Sequence, residues 1–224
     1  MGDGDESTPA NPVVAQFLTT EHFNLQTERA IANNDVNARL LLFMSSLSAT
    51  IITLALSTQF SGGGDAFRGF ALVLLPTVYV FGLVTVGRLG QAWDAWFAAG
   101  RGMGRIRHYF SEVAPELKPY LVMPATDEPW QVLRSGIGKV RGHWFEGLYT
   151  APAAVSIVNS VVAGVFVGVV TTTFSDSRPL QGALGGVGFV VSVVGMFAFA
   201  TRGFFRRMAE AEAAFPEEAA GDDH

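Results

Sequence analysis

The sequence predicts an all-α integral membrane protein: four transmembrane helices as two hairpins, with a helical cytoplasmic layer. Three observations carry this. Only 16% of the 224 residues are charged and 49% are hydrophobic, whereas a soluble domain carries about 25% charged residues. The deficit is concentrated in Leu40–Phe60, Phe70–Gly87, Gly147–Phe174 and Gln181–Thr201, none of which contains a charged residue. A helix rises about 1.5 Å per residue and the hydrocarbon layer is about 30 Å thick, so each stretch can cross. Finally, 13 of the 15 Lys and Arg residues fall in the N-terminal flank, Arg88–Glu146 and the C-terminal flank, and only Arg68 and Arg178 fall in the two short links. The positive-inside rule then places both termini and the central segment in the cytoplasm, with an inner (cytoplasmic) membrane location.

The elements follow in order. Residues 1–16 are acidic and Pro-containing, and are expected to be disordered. Residues 17–39 form a cytoplasmic helix, with Thr19 or Thr20 as its cap, running unbroken into the first span. Residues 40–87 make the first transmembrane hairpin, with Pro76 as a kink. Residues 88–146 form a cytoplasmic helical segment. In it the second span continues through Trp93 and Trp96 to about Val113, interrupted at Gly100, Gly102 and Gly104. Pro115 then opens a short helix at Glu116–Leu121, and Trp130–Trp144 forms another helix. Residues 147–201 are the second hairpin, and 202–224 a helix end and acidic tail. The pairs Trp93/Trp96 and Trp144/Tyr149 lie near span ends, as interfacial belts do.

Composition excludes several functions. Cysteine is absent, which removes disulfide scaffolds and thiol chemistry. A net charge of −5 argues against nucleic-acid binding. No span contains Asp, Glu, Lys, Arg or His, the usual mark of a proton relay or coupled transporter. The histidines His22, His108 and His143 are scattered and show no metal-ligand spacing, and no nucleophile elbow or carboxylate pair is present. Neither an enzyme nor a cofactor is expected.

Four groups of residues remain as site candidates. Ser46, Thr50, Thr53 and Ser57 are spaced 4, 3 and 4 and share one helix face. They can line a hydrated pore, or serve as ordinary helix–helix contacts. Ser156, Ser160, Gly164 and Gly168, with Gly185, Gly188, Ser192 and Gly195, make small-residue ridges for close packing, either within one chain or in a homo-oligomer. Asn159 is the most polar residue inside a span and suits an interface. Arg101, Arg105, Arg107 and His108 form a basic cluster with three readings: anionic lipid headgroups, a phosphate-bearing ligand, or salt bridges to Glu112, Glu116 or a neighbouring subunit. His108 and Glu112 have i, i+4 spacing.

The run from Phe17 to Arg29 (FLTTEHFNLQTER), with Arg105-Ile-Arg-His-Tyr-Phe110 and Pro115-Glu-Leu-Lys-Pro-Tyr120, resembles a family of uncharacterised bacterial four-span membrane proteins. In that family both termini are cytoplasmic and a helical segment separates two hairpins. The layout is also similar to the multi-span effectors of bacterial cyclic-nucleotide antiphage systems, which disrupt the membrane once a ligand binds their cytoplasmic part. The second resemblance implies a gated pore and assigns no residue. The expected function is a homo-oligomeric pore or channel-like assembly with a cytoplasmic gating layer. The alternative is a non-conducting scaffold or signalling adaptor that presents its cytoplasmic helices to a soluble partner. Membrane lipids are partners in both.

Overall fold

The computed structural model describes residues 11–60, 64–137, 150–210 and 213–215. They form five α-helices and one 3-10 helix: α1 (Pro12–Phe60), α2 (Asp65–Val113), the 3-10 turn Pro115–Tyr120, α3 (Pro129–Ile137), α4 (Ala151–Thr171) and α5 (Arg178–Glu210). No strand occurs among the described residues. Four of the helices, α1, α2, α4 and α5, are long and apolar enough to span a membrane.

Several boundaries differ from the sequence expectation. α1 begins at Pro12, not near Thr19. The Asn11 side-chain oxygen accepts the Val13 N–H at 3.0 Å, and Pro12 fills the first helical position, where its missing N–H costs nothing. α2 runs through Pro76 and through Gly100, Gly102 and Gly104 as one helix. Next to the proline, the Thr77 hydroxyl donates to Val73 O at 2.7 Å, bonding back to the preceding turn. The expected Glu116–Leu121 helix is a 3-10 turn with no buried residue. α3 covers the first half of the expected Trp130–Trp144 helix. The rest of that helix, the Trp144/Tyr149 belt, residues 1–10 and the tail beyond Phe215 lie outside the described residues.

The chain divides into two compact units. The first, Asn34–Gln91 with Trp144–Phe205, contains the apolar segments. Its core is Phe43, Leu75, Val78, Leu89, Val155 and Val162, with Ala71, Val86, Val169 and Met196. Its surface is also apolar: Leu41, Leu42, Ile51, Ile52, Val73, Val84, Val191 and Val194 are all exposed. A contiguous apolar exterior of this kind is what a lipid-facing surface requires.

The second unit, Met1–Asn33, Ala92–His143 and Arg206–His224, buries Trp96, Ala99, Met103, Ile106, Val132 and Leu133. Trp96 stacks on Trp93 with ring centroids 5.0 Å apart, and the Arg29 guanidinium lies 3.9 Å over the Trp96 ring. The three alternate glycines of α2 each face a different neighbour. A Cβ on Gly100 would lie 2.9 Å from Val132 of α3, and one on Gly102 would lie 2.8 Å from Leu25 of α1. One on Gly104 would collide with the Thr126 carbonyl. These glycines therefore let α3, α1 and the Thr126 backbone approach α2 closely.

Candidate functional site

In the apolar unit, the hydroxyl stripe of α1 is turned inward. Thr50 and Ser57 are buried at 6% and 5% exposure, and Ser46 and Thr53 are half-buried. Thr53 donates to Ala49 O at 2.8 Å and Ser57 to Leu54 O at 2.7 Å. Back-bonding to the preceding turn is how isolated hydroxyls are satisfied in an apolar helix.

The small-residue ridges meet within the chain. A Cβ on Gly164 would sit 2.8 Å from Gly185 O, and one on Gly188 would sit 2.8 Å from a Val167 methyl. Gly168 is looser, 3.6 Å from Gln181 O on the same measure. α4 and α5 thus approach backbone to backbone, where van der Waals contact replaces the missing hydrophobic drive.

Beside that seam lies a polar cluster. Asn159 is fully buried, and its amide nitrogen donates to Tyr79 O at 3.1 Å, with Met196 Sδ at 3.8 Å. Ser160 donates to Ser156 O at 2.8 Å and contacts the Ser192 hydroxyl at 3.1 Å, and Ser192 lies 3.2 Å from the Tyr79 hydroxyl. Gly82 supplies the space, since a Cβ there would overlap the Asn159 amide. The Oδ1 of Asn159 has no hydrogen-bond partner among the described residues.

In the polar unit, the basic cluster is divided. Two of its four members, Arg101 and Arg105, bond to Asp127, which is 0% exposed, and His108 holds the loop beside it. Arg105 Nε donates to Asp127 Oδ2 at 2.8 Å. Arg101 donates to the Asp127 carbonyl at 3.0 Å through Nε, and its terminal nitrogen lies 3.4 Å from Oδ2. The N–H groups of Ala214 and Phe215 donate to the same carboxylate at 3.1 and 2.9 Å. Burial alone would raise the Asp127 pKa. The bonds from Phe215 and Ala214, with Arg105 and its charge, outweigh burial and hold the carboxyl below its ordinary value.

The loop around Asp127 is fastened at both flanks. Thr126 donates its hydroxyl to Phe215 O at 2.7 Å and accepts the Glu128 N–H at 3.0 Å, just before α3. The His108 Nδ1 lies 3.2 Å from Ala125 O, its Nε2 lies 3.1 Å from Glu112, and its ring stacks on Phe215 at 4.5 Å. A carboxylate this well supplied with donors acts as a clamp that joins α2, the loop before α3 and the segment at 213–215. Asp127, Thr126 and Phe215 were not singled out in the sequence. Their signal, Thr-Asp-Glu-Pro ahead of a short helix, is the usual pattern of a helix start.

Arg107 takes no part in this clamp. It is half-buried on another face of α2, and burial pushes its guanidinium below the ordinary value. Among the described residues, no group of three or more His, Asp or Glu could hold a metal ion.

Comparison with protein-family models, curated proteins and solved structures found no match.

Proposed function

We propose that this chain is a multi-pass inner-membrane scaffold or signalling adaptor. Its spans form two hairpins that anchor it, and its cytoplasmic helical layer engages a soluble partner. One observation favours this over a conducting role. The hydroxyls that would line a lumen along α1 are spent inside the chain's own bundle, with Thr50 and Ser57 buried and Thr53 and Ser57 bonded to their own helix. The cytoplasmic placement of the termini and of Arg88–Glu146 rests on the Lys/Arg asymmetry.

A homo-oligomeric pore is the second reading, and one feature favours it. A different face of α1 carries the exposed small and polar residues Ser45, Ser48, Ala49, Ala55 and Gln59, interleaved with exposed Ile52 and Leu56. In a ring of copies that face, not the Ser46–Ser57 stripe, would border the axis.

Planar-bilayer recordings on the purified full chain separate the two. The scaffold reading expects currents no greater than those of protein-free bilayers. Steady conductance that falls on Ser48→Leu and persists on Thr50→Leu would establish the pore instead.

A further inference from the structure

The seam between α1 and α2 in the polar unit is antiparallel, and its register follows from two contacts. Leu25 of α1 lies against Gly102, and Arg29 lies against Gly100 and Trp96. Continuing one turn back along α1 brings His22 opposite Arg107. Helical periodicity then sorts the side chains of α1 around Leu25. Glu21, Asn24 and Glu28 fall on one flank, where with Leu25 they line a shallow groove against Ala95, Ala98 and Ala99. His22, Gln26 and Arg29 fall on the other. On α2, Arg107 shares a face with Gly100 and Trp96, so it stands on the cationic flank and points away from Asp127.

The flank therefore brings two guanidiniums and an imidazole together, all partly buried. Like charges are not normally gathered in partial burial without a counter-ion. Yet the salt bridges among the described residues involve none of His22, Arg29 and Arg107. The Arg29 guanidinium carbon lies 3.9 Å from the Trp96 ring centroid, a contact that gives its N–H donors no oxygen acceptor. His22 meets the neighbouring Gln26 amide, at 3.0 Å, and the Phe23 ring, at 6.4 Å between centroids. The electrostatics agree. Burial, and after it the charge of Arg107, push both His22 and Arg29 toward their neutral forms.

We propose that His22, Arg29 and Arg107 form a binding site for a phosphate-bearing anion. The chemistry suits that class. Guanidinium forks grip tetrahedral oxyanions through paired N–H donors, and a ligand with two or more charges offsets two arginines that form no salt bridge among the described residues. The site is separate from the Asp127 clamp and extends beyond the anchoring role proposed above.

Thermal unfolding of the full chain in a neutral detergent, with pyrophosphate as probe and sodium chloride at matched ionic strength as control, tests this directly. Pyrophosphate should raise the Tm by several degrees beyond the salt control. It should also raise the pKa of His22, followed by the imidazole proton resonances in NMR. Arg107→Gln relieves the unpaired repulsion, so it should unfold at or above the wild-type temperature without ligand. It should also bind pyrophosphate at least tenfold more weakly. Arg29→Gln serves as an independent second variant with the same expected loss, and exposed Arg134→Gln should bind as the wild type does.

Nanodiscs of zwitterionic and of anionic lipid identify the natural source. If a headgroup fills the site, anionic discs raise the Tm and pyrophosphate adds nothing there. If a free anion fills it, the pyrophosphate shift is the same in both. A wild-type protein indifferent to pyrophosphate in every setting, or a shift that survives in both Arg107→Gln and Arg29→Gln, would overturn the assignment.

Discussion

Asn159 and Asp127 are both fully buried polar side chains, and both sit where a glycine of α2 makes room, Gly82 for one and Gly104 for the other. Their surroundings differ sharply. Asn159 is neutral, bonds one backbone carbonyl and leaves its own oxygen unpartnered inside an apolar unit. Asp127 is charged and collects two arginines and two backbone amides. The difference shows what each region can sustain. A full charge is retained only where several donors converge to replace its water. The lipid-facing bundle, with no charge inside its spans, settles for an amide and hydroxyls.

The sharpest way to break this contrast is to remove the carboxylate. Asp127→Ala should cost the polar unit about 3–5 kcal/mol, because Arg105, the terminal nitrogen of Arg101 and two amides lose their acceptor. Denaturant unfolding followed by tryptophan fluorescence measures it, and a cost below about 1 kcal/mol would mean that solvent already screens the network. The same network sets an acid response. The folded pKa of Asp127 lies below its ordinary value of 3.8. Its contribution is therefore complete well above pH 3.8 and is lost as pH falls from there through the folded value. An acid titration of the unfolding midpoint should show that decline in the wild type and a flatter profile in Asp127→Asn.

Next come the glycines. Gly104→Ala and Gly82→Ala should each destabilise by about 1–3 kcal/mol, the usual cost of overpacking. Gly90→Ala, with nothing near its Cβ position, should be neutral or stabilising by up to about 1 kcal/mol. Similar values at Gly104 and Gly90 would show that the loop at Thr126 yields freely. The smallest effect belongs to the apolar unit. Asn159→Ala should cost about 0.6 kcal/mol, and no more than about 1.7, the range for hydrogen bonds between membrane helices. Steric-trap unfolding in bicelles would measure it, and a cost rivalling Asp127→Ala would erase the distinction between the two regions.

What could be read in the sequence was set by distance along the chain. The four apolar helices are legible because charge-free stretches are a local property. The His108–Glu112 pair is legible because it spans one helical turn, and the Gly164 and Gly188 ridges because periodicity marks them. The Asp127 clamp was not legible. Its arginines lie 22 and 26 residues away and its amides 87 and 88, and nothing local in a proline-rich stretch names those partners. The alternate glycines misled for a related reason. Helix propensity treats each as a weakness, whereas their value here lies in three neighbours that the local sequence does not show. The division of the basic cluster shows the same limit: spacing puts Arg101 with Arg105, but only the fold shows that these two meet Asp127 while Arg107 stands apart from it.

The clamp at Asp127 also dictates which two consecutive residues it can hold. Its carboxylate grasps peptide nitrogens, which are alike at nearly every position, so the side chain of Ala214 is of little consequence. Sliding the segment one step in one direction would bring Pro216 into the second position, and proline has no hydrogen to offer. Sliding it the other way would put Ala214 where the Phe215 ring covers His108. A generic grip is thus made specific by a proline on one side and a ring on the other.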